Sequence, residues 1–284
     1  MRSEVLTRRG LTAGGTAALA AAGVGVARRE ALRLWTEVTG EAPESVLVAP
    51  DEVVTGECAA IYGDAIRRRA LGEPLVHVIG WTGFRHLTLR IDGRALIPRP
   101  ETEGLVDLVL ACAPTGRVAD VGTGSGCIAL SLATEGRYDE VVGLDRSADA
   151  LRLADENRRL IEARVSLARG DLCAPLRPAS LDALVSNPPY LTAGEYAALD
   201  RSVRDWEPAQ ALASGADGLE AMARLLDEGL AVVRPGGWLV MEVDSARAAE
   251  CARRAGASGW TDVAIHADLF GRERYLLARR SGAP

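Results

Sequence analysis

The chain is 284 residues long, with 48% hydrophobic and 25% charged residues, a composition typical of a globular protein with a large core. Its formal net charge is −6 at pH 7, and all 33 basic residues are arginine because the chain contains no lysine. This negative balance disfavours proteins that wrap a nucleic-acid backbone, since neutralising phosphates requires a local excess of positive charge.

The cysteines and histidines predict neither a disulfide framework nor a metal site. The five cysteines are odd in number and scattered, without a C-x-x-C pair, which favours buried free thiols in a reducing compartment. The three histidines, His77, His86 and His266, lie neither near a cysteine nor at i,i+4 spacing. We therefore expect no bound metal.

The N-terminus carries Arg8 and Arg9 ahead of a long uncharged stretch, a pattern that resembles a twin-arginine export signal. The stretch is mostly Ala, Gly and Thr, no A-x-A site closes it, and Arg28, Arg29 and Glu30 follow at once. We expect a helical region at this end of a cytoplasmic protein instead.

Residues 1–80 are predicted to form a small helical domain. The segment "REALRLWTEVTG" has its apolar residues on one helical face and ends at Gly40. A second helical pattern covers residues 52–72, and a polar connector with a proline, "EAPES", separates the two.

Residues 81–100 are predicted to be a β-rich linker. The apolar residues of "FRHLTLRID", residues 84–92, alternate as in a half-buried strand. Pro98 and Pro100 then keep the chain extended, and Glu101 and Glu103 suit the start of a helix.

Residues 101–284 alternate strand and helix patterns, which predicts an α/β domain with a mostly parallel sheet covered on both faces. The last two strands resemble a closing antiparallel pair. The predicted strands lie at 117–122, 140–145, 164–171, 181–187, 236–243, 260–268 and 272–280. The predicted helices lie at 125–136, 147–161, 217–233 and 246–257.

A glycine-rich turn follows the first of these strands, in "DVGTGSGCIAL". Strand, glycine turn and helix in succession let the backbone approach a ligand closely at a helix N-terminus, although a plain tight turn would have the same appearance. The turn residues are Gly122, Thr123, Gly124, Ser125 and Gly126.

Asp145 ends the next strand, 23 residues after Gly122. An acidic side chain there can accept hydrogen bonds from both hydroxyls of a ribose, and capping the next helix is the alternative. NAD and S-adenosyl-L-methionine are the leading cofactor candidates. The G-x-G-x-G pattern, with Asp120 just ahead, resembles the S-adenosylmethionine-dependent methyltransferases, in which Asp171 fits the position that contacts adenine.

The fourth strand ends in Asn187-Pro188-Pro189-Tyr190. The prolines supply no N–H donors, while the Asn187 oxygen and the Pro188 carbonyl can accept the two hydrogens of a planar NH₂ group. The face of Tyr190 can pack over that group, so that orientation supplies the rate. These residues indicate a cradle for a planar amine, without deciding between adenine and a glutamine amide; a rigid turn is the structural alternative.

Three other segments resemble release factor glutamine methyltransferases of the HemK/PrmC type, and with the N-terminal helical pattern the likeness runs from about Ala17 to the C-terminus. They are "GEPLVHVIGWTGFRHLTLRIDGRALIPRPETE", "RDWEPAQALASGADGL" and "DLFGRERYLLARR". The most specific element is "IPRPETE", because the sibling enzymes that act on a ribosomal protein differ after "PR". The resemblance implies a Rossmann-like class I methyltransferase with a seven-stranded sheet, preceded by a helical substrate-docking domain.

The resemblance further implies methylation of the glutamine of the Gly-Gly-Gln motif in peptide chain release factors, which modulates translation termination. The cofactor would be S-adenosyl-L-methionine, contacted by the turn residues 122–126, Asp145, Leu172 and Asn187. The substrate would contact residues 187–190, and the catalytic residues would be Asn187, Pro188 and Tyr190. We expect a monomer with no direct nucleic-acid or membrane partner.

The chain departs from the family after the fifth strand. Asp244 stands where the family has glycine, and the glutamine that usually follows is absent, so a different turn is expected there. Two rival functions are an adenine methyltransferase acting on nucleic acid and an S-adenosylmethionine-binding module without catalysis. The acidic charge and the helical domain disfavour the first, and the intact N-P-P-Y disfavours the second.

Overall fold

The computed structural model describes residues 6–282; the outermost residues of the predicted domains, 1–5 and 283–284, lie outside this range. The chain divides into two compact units. The first comprises the residues up to Gly80 together with Arg201–Trp206, and the second comprises Trp81–Asp200 and the chain from Glu207 onward. No helix within residues 6–282 is long and apolar enough to cross a membrane.

The first unit is helical, and its core lies among its three longest helices. Trp35 and Tyr62 meet edge to face with ring centroids 5.5 Å apart, and the Tyr62 hydroxyl donates to the Ala31 carbonyl. Gly15 permits this packing, because a Cβ there would lie 2.5 Å from the Tyr62 hydroxyl. Its helices are α1 (Arg8–Ala21), α2 (Ala27–Thr39), α3 (Ser45–Val48), α4 (Gly56–Ala70), α5 (Leu75–Ile79) and α10 (Arg201–Arg204).

The second unit is built on a seven-stranded sheet, as predicted. Its strands are β3 (Thr115–Val121), β4 (Arg137–Asp145), β5 (Ser166–Arg169), β6 (Leu181–Ser186), β7 (Val233–Glu242), β8 (Trp260–Ala267) and β9 (Glu273–Arg280). The strand order is β5-β4-β3-β6-β7-β9-β8, parallel from β5 to β7 and antiparallel for β9 and β8.

Helices cover the sheet because its central strands are apolar along their length. Val118, Ala119 and Val121 of β3 are all at most 2% exposed, as expected of a parallel strand buried on both faces. The α-helices of this unit are α6 (Glu103–Cys112), α7 (Cys127–Glu135), α8 (Ala148–Ile161), α9 (Ala193–Ala197), α11 (Glu220–Val232) and α12 (Ala248–Ser258), of which α9 buries no residue. The carboxyl ends of β3, β4, β6 and β7 therefore lie along one edge of the sheet.

Two predicted elements differ from the structure. The single strand predicted over residues 84–92 is a hairpin of β1 (Trp81–Phe84) and β2 (Leu87–Arg90), with Arg85 at a φ of 51° in its turn. The helix predicted from residue 52 begins only at Gly56, where the Thr55 hydroxyl accepts from the Cys58 N–H as the N-cap.

Candidate active site

A cavity of about 250 Å³ opens at the carboxyl edge of the sheet. Open α/β sheets bind ligands at this edge. The predicted site residues that line the cavity are Gly122, Thr123, Gly124, Ser125, Asp145, Asp171, Leu172, Asn187 and Pro189. Gly126, Pro188 and Tyr190, which were also predicted, do not line it.

The glycine turn joins β3 to α7 and needs glycine for its backbone conformation. Gly122 and Gly126 have φ values of 78° and 85°, in the left-handed region that L side chains rarely adopt. A Cβ on Gly122 would meet only open space, so the backbone there is bare toward the cavity. A Cβ on Gly126 would lie 3.1 Å from Leu130, so this glycine serves the packing of α7.

Asp120, the penultimate residue of β3, stabilises the glycine turn through hydrogen bonds. It is fully buried, and its Oδ2 accepts from the Thr123 hydroxyl at 2.6 Å and the Ala129 N–H at 3.1 Å. Burial raises the pKa of this carboxyl to about 7, although the Thr123 hydrogen bond opposes the shift. Among residues 6–282 no partner is found for Asp120 Oδ1 or for the buried Ser125 Oγ.

Asp145, at the end of β4, joins two neighbouring backbone segments. Its Oδ2 accepts from the Gly124 N–H and its Oδ1 from the Ser147 N–H, both at 2.9 Å. The N-cap of α8 is Ser147, whose hydroxyl accepts from the Ala150 N–H. Asp145 is therefore not the helix cap, and its carboxylate lies at the cavity wall beside the glycine turn.

Asp171 and Leu172 follow β5 on the same side of the cavity. Asp171 Oδ2 accepts from Arg224 at 2.9 Å, so its carboxylate is held by an ion pair at the surface. Leu172 has a φ of 47° and packs against the core of the sheet. The cavity wall at this end thus combines an apolar side chain with a charged rim.

Asn187, directly after β6, is oriented by a hydrogen-bond chain. Its Nδ2 donates to the Thr102 hydroxyl at 3.1 Å, and Thr102 donates to Glu242 Oε2 at 2.8 Å. Since the hydroxyl has one proton and gives it to Glu242, it accepts from the Asn187 NH₂ group. The Asn187 oxygen is thereby left for the cavity that the residue lines.

Glu242, at the end of β7, is 2% exposed. Burial raises the pKa of its carboxyl to about 7, against the opposing effects of the Thr102 hydrogen bond and of Arg274. No sequence pattern predicted a role for Glu242, and Thr102 was predicted only as part of the segment "IPRPETE". Their contact spans 140 residues of chain and has no local sequence signal.

The loop from Pro188 to Leu191 is fixed by its own backbone. The Tyr190 and Leu191 N–H groups both donate to the Leu212 carbonyl, at 3.2 and 2.9 Å. Pro188 is buried, and burial raises the pKa of the Tyr190 phenol to about 12. A Cβ on Gly218 would lie 2.3 Å from the Tyr190 carbonyl, so this glycine admits the loop.

Two segments that carry the family resemblance meet through Glu207. Its buried carboxylate accepts from Arg99 at 2.6 Å and from the Ile97 N–H at 2.9 Å. Arg99 and Ile97 belong to "IPRPETE", whereas Glu207 belongs to "RDWEPAQAL". The ion pair thus holds the two segments together where both line the cavity.

Asn157, on α8, is a site-supporting residue that the sequence reasoning missed. It is fully buried, and its amide bonds the Arg90 N–H and carbonyl at 2.7 and 3.1 Å and the Ser125 carbonyl at 2.9 Å. It fastens the β1–β2 hairpin and the glycine turn to α8. An asparagine in an otherwise amphipathic helix is the only local sign of this role.

Replacing Asn157 by alanine is expected to lower the free energy of unfolding by about 3 kcal/mol, because buried backbone groups lose their partners. Urea denaturation followed by circular dichroism measures this change. Ser131→Ala is the matched control, since Ser131 is equally buried but its hydroxyl has no partner among residues 6–282. Equal losses in the two variants would contradict the assigned role of Asn157.

Asp244, where the family has glycine, forms an ordinary turn. Its φ is not positive, and its Oδ1 accepts from the Ala246 N–H and from Arg247, both at 3.0 Å. Arg247 also donates to Glu195 at 2.6 Å and to the Asp217 carbonyl at 3.0 Å. The aspartate thus anchors an arginine that ties together three loops at this edge.

Asp244→Gly is expected to lower the free energy of unfolding by about 1 kcal/mol, since the partly exposed turn loses its side-chain bonds and gains chain entropy. Asp244→Asn keeps the acceptor for the Ala246 N–H and is expected to lose less. Thermal unfolding of both variants tests this. A gain in stability on restoring glycine would show that the turn requires the family residue.

The cavity fits S-adenosyl-L-methionine by the chemistry of its walls. The bare backbone at Gly122 allows close approach, and the Asp145 carboxylate at the cavity wall offers acceptors for hydroxyl donors. Leu172 supplies an apolar surface for a flat ring. These residues match a nucleoside that carries an amino acid.

Comparisons with known proteins agree with this architecture. The family model of the methyltransferase small domain matches residues 102–215, and that of the PrmC N-terminal domain matches residues 11–80. A solved methyltransferase from Pyrococcus furiosus shares the fold, with a TM-score of 0.52 at 18% identity, covering 69% of this chain and 89% of that one. The chain therefore has the fold of the Rossmann-like methyltransferases, which confirms the predicted fold class.

Curated relatives define the family within that class. The release factor glutamine methyltransferase of Deinococcus radiodurans is 38% identical over 277 residues, covering 96% of this chain and 99% of the relative. That of Nitratidesulfovibrio vulgaris is 38% identical over 243 residues, covering 83% and 82%. The chain belongs to the release factor glutamine methyltransferase family, as the resemblance in its sequence predicted.

Proposed function

We propose that this protein transfers a methyl group from S-adenosyl-L-methionine to the side-chain amide nitrogen of the glutamine in the Gly-Gly-Gln motif of peptide chain release factors. The observation that carries the proposal is the orientation of Asn187. Its NH₂ group is bonded to Thr102, so its oxygen is the end available to a substrate NH₂ group. The names of the curated relatives supply the substrate.

The reaction requires an acceptor-rich pocket more than a base. The Asn187 oxygen and the Pro188 carbonyl accept the two hydrogens of the substrate amide and direct its nitrogen into the cavity. The bound cofactor would supply an electrophilic methyl group from a sulfonium and would keep the electrons of the broken S–CH₃ bond as a neutral thioether. The amide nitrogen becomes more positive as it takes the methyl group, the two oxygens stabilise that charge, and one N–H proton then passes to solvent water. The Tyr190 ring packs over the flat amide.

The cofactor-binding assignment is part of the same proposal. The glycine turn, residues 122–126, approaches the amino-acid part of the cofactor, and Asp145 accepts from the ribose hydroxyls. Asp171 and Leu172 lie against the adenine, with Leu172 contributing apolar packing, and Asn187 closes the methyl end. Gly126 acts through the packing of α7, since its Cβ position faces Leu130 rather than open space.

The helical domain, residues 1–80, is proposed to dock the release factor. Residues 101–284 would then form the catalytic domain, and residues 81–100 would link the two. The match of residues 11–80 to the PrmC N-terminal domain supports this role. We further propose that the protein acts as a cytoplasmic monomer without direct nucleic-acid contact, which its net charge of −6 favours.

Methyl transfer from labelled S-adenosyl-L-methionine tests the substrate. The protein is incubated separately with a release factor, with the same factor carrying alanine for the motif glutamine, and with DNA and RNA. We expect label on the intact release factor alone. Label on nucleic acid alone would support an adenine methyltransferase, and bound cofactor without any transfer would support a non-catalytic module.

A further inference from the structure

We propose that Glu242 is a positioning residue: acting through Thr102, its carboxylate fixes which end of the Asn187 amide faces the cavity. The inference rests on the proposed function, because that end is the one offered to the substrate amide. The supporting geometry is the chain of two hydrogen bonds from Asn187 Nδ2 to Thr102 Oγ1 at 3.1 Å and from Thr102 to Glu242 Oε2 at 2.8 Å.

The direction of this chain is set at its Glu242 end. An ionised carboxylate is only an acceptor, so the Thr102 hydroxyl must give its single proton to Glu242. The hydroxyl oxygen then has only lone pairs to offer to Asn187 and binds its NH₂ group. Thr102 and Glu242 are 3% and 2% exposed, so water does not compete with this arrangement.

A neutral Glu242 removes the constraint. A protonated carboxyl group can donate to the Thr102 oxygen, which frees the hydroxyl proton for the Asn187 oxygen. The amide then turns its NH₂ group toward the cavity, where it faces the NH₂ group of the substrate. Two donors in contact repel, so this state does not hold the substrate nitrogen.

The groups around Glu242 place its ionisation in a useful range of pH. Burial is the main reason that its pKa rises to about 7, while Arg274 and Arg99 favour the charged form and Glu101 disfavours it. The remaining titratable neighbours are Tyr190, Tyr275 and Cys127, each with a pKa raised to about 12 by burial. Asp120, with a pKa of about 7 and its own hydrogen bonds, is the group that an experiment must separate from Glu242.

The orientation of the Asn187 amide can be followed by NMR, because Asn157 and Asn187 are the only asparagines in the chain. Labelling with [¹⁵N]asparagine therefore gives two side-chain amide signals. Within residues 6–282, Asn157 bonds only to backbone groups, so it serves as an internal control. In the apoprotein we expect the Asn187 signals to shift with a midpoint near pH 7, and the Asn157 signals to stay constant.

Two variants assign the titration. Glu242→Gln is expected to abolish the pH dependence of the Asn187 signals. Asp120→Asn, whose new asparagine adds a third side-chain amide to the spectrum, is expected to retain it. A shift that survives Glu242→Gln, or Asn187 signals that do not respond to pH in the wild type, would overturn the proposal. This readout requires no cofactor and no release factor, so it stands or falls separately from the proposed function.

Kinetics provide the second measurement. For the wild type we expect kcat to fall as the pH drops below about 7, and for Glu242→Gln a kcat lower by about tenfold without that acidic limb. Thr102→Val is expected to lower kcat by at least about tenfold with the cofactor Kd within about twofold, whereas Thr102→Ser restores most of it. Equal losses in the valine and serine variants would contradict the relay.

We do not expect the lower kcat of Glu242→Gln to come from a loss of folding stability. The folded pKa lies above the ordinary value of 4.5, so the ionised group opposes folding increasingly as pH rises from about 4.5 to about 7. Its neutral isostere is therefore expected to unfold at the same or a higher temperature at neutral pH. A variant that is both slower and less stable would favour a purely structural role.

Discussion

Replacing Asn187 by alanine is expected to lower kcat for methyl transfer by about 10³-fold, while the Kd of S-adenosyl-L-methionine changes by less than about tenfold. The reason is that the substrate amide loses the acceptor proposed to orient its nitrogen and to stabilise its developing charge. The cofactor keeps its proposed contacts along the glycine turn and with Asp145. Single-turnover kinetics and isothermal titration calorimetry measure the two quantities separately.

Thr192→Ala is the matched control for this variant. Thr192 follows the same loop, but its hydroxyl only caps the short helix α9 by accepting from the Glu195 N–H. We expect its kcat to stay within about threefold of the wild type. If Asn187→Ala retained more than about a tenth of the wild-type kcat, orientation by Asn187 would not be the source of the rate.

Asp145→Ala is expected to raise the Kd of S-adenosyl-L-methionine by at least about 10²-fold. The variant removes the proposed acceptor of the ribose hydroxyls, and it also releases the Gly124 N–H and with it the shape of the glycine turn. Hydrogen bonds to a charged group contribute about 1.5–3 kcal/mol each, so the loss of two accounts for this change. Calorimetric titration with the cofactor measures it directly.

Asp149→Ala controls for the loss of a carboxylate near the same helix N-terminus. Asp149 lies in the first turn of α8, is largely exposed and pairs with Arg152 at the surface, away from the cavity lining. Its Kd is expected to match that of the wild type within about twofold. A similar weakening in both variants would mean that Asp145 acts only through general electrostatics.

The regular parts of the second unit were predictable because their signals are local. The runs of buried apolar residues in β3, β6 and β7 predict parallel strands, and the glycines at 122–126 predict the turn that follows β3. The positions of Asp145 and Asn187 were predictable too, because Asp145 ends one recognisable strand and Asn187 directly follows another. Strand order then brings their side chains to one edge.

The elements that were predicted wrongly depend on distant contacts. The strand over residues 84–92 breaks at Arg85, whose positive φ is held by Glu103, which accepts from the Arg85 N–H at 2.8 Å, and by an ion pair to Glu135. Neither partner is close in sequence, so the alternation of residues 84–92 looked continuous. The helix start at Gly56 rather than residue 52 reflects the N-cap at Thr55, which the helical pattern alone did not reveal.

The supporting residues of the site were hidden for the same reason. Thr102, Glu242 and Asn157 reach their partners across 32 to 140 residues of chain. No periodicity or turn signal reports such a contact. The sequence instead showed a resemblance to a family, in "IPRPETE" and in the segment around Glu207. In the structure, Ile97 and Arg99 of the first segment bond to Glu207, and Thr102 bonds to Asn187.

The most direct measurement is the mass-spectrometric mapping of the methyl group on a release factor after incubation with this protein and S-adenosyl-L-methionine. We predict the mass of one added methyl group on the peptide containing the Gly-Gly-Gln motif, localised by fragmentation to the glutamine side-chain nitrogen and absent with Asn187→Ala. A methyl group on any other residue, or an unmodified motif peptide with active cofactor binding, would contradict the account.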